Sequence, residues 1–135
     1  PPEVTSDIFT LELVRTVLKR RSRSPVKAVL LMQEFFPGIG NWMVDEILWR
    51  ACIHPAHPAG KLSTMKSKAL WKETRFVASE ALATVGKRGG DPPPDWLFHF
   101  RWKDGGTCPV SGKSLVREQI AGRTTCWCPF RQHLK

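Results

Sequence analysis

Gly38 and Gly40, with Ile39 between them and Asn41 immediately after, lie between two apolar runs of helical spacing, an arrangement able to hold a phosphate. Val26, Val29, Leu30, Gln33 and Phe36 keep helical spacing before the turn, and Val44, Ile47, Leu48 and Ala51 keep it afterwards. Glycine supplies positive φ and leaves room for a close partner. Asn41 is expected to cap the second helix and leave its first N–H groups pointing outward. Free N–H groups at the positive end of a helix attract an anion. A Gly-x-Gly pair alone also fits an ordinary tight turn between packed helices.

Other residue types capable of chemistry are less sharply arranged. Four cysteines, at 52, 108, 126 and 128, do not suggest a secreted disulfide scaffold, because Cys52 stands alone on the helix after the turn and reads as a packed thiol. His54 and His57 lie in a loop broken by Pro55 and Pro58 with no carboxylate or cysteine nearby, which argues against a metal pair. Asp45 and Glu46 resemble an acid/base pair, but adjacent helical residues face different ways, so both are expected to be structural.

The charge points to an anionic partner. Lys and Arg number 21 against 12 Asp and Glu, a formal net charge of +9. Arg15, Lys19, Arg20, Arg21, Arg23 and Lys27 precede the glycine turn, so a basic face leads into it. With no apolar run long enough to cross a membrane and no basic-then-apolar start, an intracellular protein is expected.

The elements that must position these residues follow from spacing and punctuation. Asp7 or Thr10 should cap a helix with Leu11, Val14 and Leu18 on one face, and Pro25 suits the first turn of the next. Ser63 should cap a long helix with Leu70, Thr74, Val77, Ala81 and Val85 inward, while Trp71 and Phe76 suit core or interface. Residues 86–94 hold three glycines and three consecutive prolines, which mark a boundary between residues 1–90 and 91–135. Beyond it, the aromatic run 96–102 suits a strand, as do residues 114–120 and 125–128 around a turn at 121–124. A unit this small needs a metal or docking against the helices.

Residues 27–63, through Gln33, Gly38-Ile39-Gly40-Asn41, Asp45-Glu46, Arg50-Ala51 and Ile53-His54-Pro55-x-x-Pro58-Ala59-Gly60, closely resemble the helix-two-turn-helix region of the formamidopyrimidine-DNA glycosylase family, which includes endonuclease VIII. Residues 96–132 resemble, in order and length, the β-hairpin zinc finger that follows it there. The resemblance implies an α+β fold: a mainly helical DNA-binding domain over residues 1–90 and a finger over 91–135. It also implies that Asn41 and Arg123, the latter in Gly122-Arg123-Thr124-Thr125, hold phosphates on either side of a lesion. Lys27 would approach DNA near the damaged base, and Gly38 and Gly40 would let the backbone come close.

The family's finger has two Cys-x-x-Cys pairs. Here Cys108-Pro109-Val110-Ser111 and Cys128-Pro129-Phe130-Arg131 keep the frame but only half of the thiolates. A hydroxyl is a poor zinc ligand and a guanidinium brings positive charge to a cation site. Cys126 and His133 could complete a shifted site with Cys108 and Cys128. The expectation is instead a finger without zinc, held by strand pairing and aromatic packing, and no cofactor.

The resemblance covers only the carboxy-terminal half of the enzyme. Family enzymes attack the sugar with an N-terminal proline amine carried on another domain. Pro1-Pro2-Glu3 imitates that start but leads straight into the helical region, so no catalytic residue is expected in this chain. The expected object is therefore the DNA-binding half of a base-excision glycosylase and abasic-site lyase, a monomer whose partners are damaged duplex DNA and the catalytic domain. Family members that remove 8-oxoguanine carry a flexible loop before the finger, so by this resemblance the short, stiff segment 89–94 implies that 8-oxoguanine is not the preferred lesion and leaves formamidopyrimidines and oxidised pyrimidines open. The alternative is a non-enzymatic nucleic-acid module, since a related helix-two-turn-helix arrangement occurs in an RNA-binding ribosomal protein. A metal-dependent interaction domain is weaker, given the missing thiolates.

Overall fold

A computed structural model describes residues 2–87 and 89–134; Pro1, the first residue of the irregular lead-in, lies outside them. Among the described residues four helices are followed by one antiparallel hairpin, so the fold is α+β: α1 (Leu11–Arg20), α2 (Val26–Leu30), α3 (Asn41–Ala51), α4 (Thr64–Ala81), β1 (Val116–Ile120) and β2 (Arg123–Trp127). Thr10 caps α1 by accepting a hydrogen bond from the Leu13 N–H, and Ser63 caps α4 through the Lys66 N–H. No described helix is long and apolar enough to cross a membrane.

α3 is the central element. Residues 44–49 are buried without interruption because two bodies cover the helix on different sides. Val44, Ile47 and Leu48 join Phe9, Val14, Leu30 and Leu70 in the main core, while Trp49 joins Leu97, Cys108, Cys126 and Cys128 in a second, smaller cluster. The finger's core is therefore completed by a tryptophan from the helical region.

Several expected boundaries move. α2 ends at Leu30, and the chain continues to Phe36 in turns, with the Phe35 and Phe36 N–H groups both bonded to the Met32 carbonyl. Pro25 precedes α2 instead of lying in its first turn. Val85, expected inward, is 39% exposed because Leu82–Gly86 widens into a π-turn that rotates the face after Ala81.

The aromatic run 96–102 forms no strand. Leu97–His99 is a 3₁₀ turn, with adjacent Trp96 and Leu97 both buried. The cause is Glu46, whose buried carboxylate accepts the Leu97 N–H at 3.0 Å and the Phe98 N–H at 2.9 Å, satisfying the donors that a strand would present to a neighbour. In the hairpin, β2 begins at Arg123, two residues before the expected strand. Ala121 (φ 57°) and Gly122 (φ 73°) both have positive φ, which suits a tight two-residue turn and lets Ile120 pair with Arg123.

Candidate nucleic-acid interface

The glycine turn is held from both sides. Gln33 Nε2 donates to the Ile39 carbonyl at 2.8 Å, its Oε1 accepts the Gly38 N–H at 2.9 Å, and Ile39 is buried beneath. Gly38 has φ +83°, where a Cβ would be strained. Gly40 differs: its φ is −96° and a Cβ there would meet no protein atom within 4 Å. Neither its backbone nor a neighbouring protein group demands glycine. What a Cβ would obstruct is the open space in front of α3.

Asn41 does not cap α3. Gly40 is the cap residue and makes no side-chain cap; Asn41 is the first helical residue. The first intrahelical bond runs from the Val44 N–H to the Gly40 carbonyl, so the N–H groups of residues 41–43 precede the ladder and face the turn. The Asn41 amide instead reaches across to the hairpin, where Nδ2 donates to the Thr124 carbonyl at 3.0 Å. That bond brings the two predicted phosphate residues together, because Thr124 follows Arg123. The Arg123 side chain is exposed at the hairpin tip and forms no ion pair among the described residues.

Lys27 is the site residue whose placement departs most from expectation. It is fully buried, and its ammonium donates to Asp45 Oδ1 at 2.9 Å, Thr125 Oγ1 at 2.7 Å and the Thr124 carbonyl at 3.2 Å. An ammonium has three N–H bonds, so none is left to approach DNA. Lys27 supports the hairpin tip from below. Burial lowers its pKa, Asp45 opposes that shift, and the positive charges of Arg101 and Arg123 reinforce it.

Asp45 is the junction of this support, in keeping with a structural role for it and for Glu46. Its buried carboxylate accepts from Lys27, from Arg101 Nη2 at 2.7 Å and from the Cys126 N–H at 3.0 Å. Lys27 and Arg101 thus share a single carboxylate, and Arg123 adds its charge near Lys27, so positive charge is in excess around the hairpin tip. Arg101 carried no signal in the sequence beyond its place in the aromatic run. Glu46 also pairs with Arg50, whose guanidinium lies 4.4 Å from the Trp96 ring centroid, and its pKa is raised by burial against the pull of Arg50 and two backbone N–H groups.

The family model described as the formamidopyrimidine-DNA glycosylase H2TH domain matches residues 1–90. The chain belongs to the formamidopyrimidine-DNA glycosylase family. Among curated formamidopyrimidine-DNA glycosylases, it is 35% identical over 141 residues to that of Chloroflexus aggregans, covering 98% of this chain and 51% of the relative. It is 36% identical over 114 residues to that of Arabidopsis thaliana, covering 84% of this chain and 29% of the relative. The chain therefore spans about half or less of these relatives' length. The crystal structure of MutM (Fpg) from Thermus thermophilus superposes with a TM-score of 0.81 at 31% identity, covering 97% of this chain and 53% of that one. A MutM in complex with carbocyclic 8-oxo-G containing DNA gives 0.84 at 30% identity, covering 98% and 50%.

The zinc finger implied by this family can be tested on the donors present. Its two knuckle turns are formed: the Gly112 N–H bonds to the Cys108 carbonyl and the Gln132 N–H to the Cys128 carbonyl, both at 2.8 Å. The side chains do not make a zinc site. Cys108 Sγ accepts from Trp49 Nε1 at 3.3 Å and from the Ser111 N–H at 3.4 Å, while Ser111 Oγ lies 3.5 Å from Cys128 Sγ. Arg131 turns away: Nη2 donates to the Trp49 carbonyl at 3.1 Å and the guanidinium lies 4.9 Å from the Trp49 ring centroid. Hydrogen bonds and an arginine–tryptophan contact thus occupy the frame of four ligands. Cys126 is buried in the finger's core, where burial and then Asp45 push its thiol up to about 12.

The remaining candidates also have protein partners. His54 packs on Trp127 with ring centroids 4.2 Å apart, and burial lowers its pKa. His57 Nδ1 lies 2.9 Å from the Pro58 carbonyl. Among the described residues no group of three or more His, Cys, Asp or Glu is placed to hold a metal.

Proposed function

We propose that this chain is the DNA-binding part of a base-excision DNA glycosylase and abasic-site lyase acting on oxidised bases, such as formamidopyrimidines. In this reading Arg123, Asn41, the Gly38-Ile39-Gly40 backbone and the first N–H groups of α3 grip phosphates around an extruded nucleotide. Extrusion costs a few kcal/mol of unstacking, which such contacts help offset. Lys27 acts indirectly by fixing the Thr124 carbonyl and the hairpin tip. The observation that carries the reading is Gly40, a glycine with no protein-side requirement, facing open space at the positive end of an eleven-residue helix.

The catalytic amine would belong to a separate domain, as the family's chemistry implies, and no catalytic residue is assigned here. Residues 1–90 form the helix-two-turn-helix unit and residues 91–135 a zinc-free finger docked on α3, in an intracellular protein that acts as a monomer. Support for the partner comes from the +9 charge and from the relatives' structures, one being Lactococcus lactis Fpg non-covalently bound to an AP site containing DNA.

Titration of a labelled duplex carrying an abasic-site analogue at two salt concentrations tests the reading. Affinity should exceed that for undamaged duplex and fall steeply with salt. Asn41→Ala and Arg123→Ala should each cost about 1–3 kcal/mol, the worth of a hydrogen bond to a charged group, while Lys72→Ala at an exposed position should not. Equal losses for all three would reduce the site to net charge.

A further inference from the structure

Trp102 is 54% exposed, yet it is held firmly. The Arg101 guanidinium lies 4.7 Å from its ring centroid, and Phe98 meets it edge-on at 5.3 Å. Arg117 links the residues on either side, donating through Nε to the Arg101 carbonyl and through Nη1 to the Asp104 carboxylate, each at 3.0 Å. An indole left half in water, with a guanidinium against its ring and a phenyl ring edge-on to it, has less conformational freedom to lose when a partner arrives.

Two connections tie this indole to the phosphate site. Through Arg101 it reaches Asp45, whose other oxygen holds Lys27 beneath Thr124. Through Phe98 it reaches Trp42, with ring centroids 4.9 Å apart, and Trp42 follows Asn41 in α3. Lys103, directly after it, is exposed. A rigid aromatic face among cations, continuous with a phosphate grip, matches the chemistry of nucleic acid, which offers a flat base beside an anionic backbone.

We propose that Trp102 stacks on a nucleotide next to the phosphate held by the hairpin tip, and so is a positioning residue for the extruded lesion. The proposal rests on the functional reading above. The test uses the wild-type chain, Trp102→Ala and Trp102→Phe against an abasic-site duplex with 2-aminopurine beside the analogue. Trp102→Ala should weaken binding about tenfold or more, the range measured for single base-stacking contacts. Trp102→Phe should retain most of the affinity. Neither should alter the salt slope, because no phosphate contact is removed. The 2-aminopurine emission change seen with wild type should vanish in Trp102→Ala. Wild-type affinity and an unchanged emission signal in Trp102→Ala would overturn the stacking role while leaving the functional reading intact. Failure of the wild-type chain to bind would sink both.

Discussion

Asp45→Asn should be among the most damaging conservative changes in this protein. The shape is kept and the Cys126 N–H can still find an oxygen, but Lys27 and Arg101 lose their shared counter-charge in a region where Asp45 and Lys27 are 1% and 0% exposed. Breaking a buried pair by removing one partner costs about 3–5 kcal/mol, because the other charge stays desolvated and uncompensated. Here one carboxylate serves two cations, which puts the expectation at the upper end. A kcal/mol moves the melting temperature of a domain this size by roughly 3–5 °C, so a drop of roughly 12–25 °C follows.

Lys27→Met is the informative partner variant. It leaves Asp45 with Arg101 and the Cys126 N–H, and its cost is the unmade hydrogen bonds at Thr124 and Thr125, about 1–3 kcal/mol. The double variant should cost less than the sum by about 1–3 kcal/mol, since removing Lys27 also removes one of the stranded cations. Urea unfolding of the four proteins measures the cycle. Additivity within about 0.5 kcal/mol would refute the shared-carboxylate argument. A second readout concerns function: Lys27→Met should weaken DNA binding with the lysine out of reach of solvent, because the Thr124 carbonyl keeps only its bond from Asn41 and the hairpin tip loses the support of Lys27.

Gly40→Ala should leave thermal stability almost unchanged but reduce DNA affinity, whereas Gly38→Ala, at φ +83°, should destabilise by about 1 kcal/mol; equal effects on folding and binding at both positions would show that the turn is only structural. Metal analysis of protein purified without chelator should find no stoichiometric zinc, and about one zinc per chain, lost with the finger's structure on chelation, would show that Cys126 or His133 had been recruited. Burial would raise the Cys108 thiol, but hydrogen bonds from Ser111, Trp49 and the Val110 N–H outweigh it and hold the pKa at about 7, below its usual 9.0. The unfolded chain then binds more protons between those values, so this group's stability contribution grows as pH rises from 7 to 9 and is lost as pH falls through 7. Urea midpoints of wild type and Cys108→Ala across that window measure it, and parallel curves would contradict the assignment.

Much of this architecture is legible in the sequence where local rules and tertiary demands agree. Thr10 and Ser63 cap α1 and α4 because their hydroxyls answer N–H groups three residues on. The face of α4 follows its period until the π-turn changes it. Asp45 and Glu46 were separable from an acid/base pair because neighbouring helical side chains diverge, and they do reach different bodies, the hairpin and the 3₁₀ turn.

Three of the misreadings share a physical cause, which is capture of a local group by a distant partner. Asn41 has the side chain of a cap but gives its amide to Thr124, 83 positions away. The aromatic run 96–102 has strand composition, yet a carboxylate on α3 takes the two N–H groups that would start a ladder. Lys27 reads as one of a row of surface cations, and only the hairpin folding over it from 97 and 98 positions away makes it interior. Each of these contacts joins α2, α3 or the turn to the region after residue 91. Loss of zinc thiolates is compatible with such a finger because its attachment to the helices runs through Asp45, Glu46 and Trp49, and none of those contacts requires a metal. On that argument, destabilisation should be larger for Asp45→Asn than for Cys128→Ala, the reverse of the order expected for a metal-dependent finger.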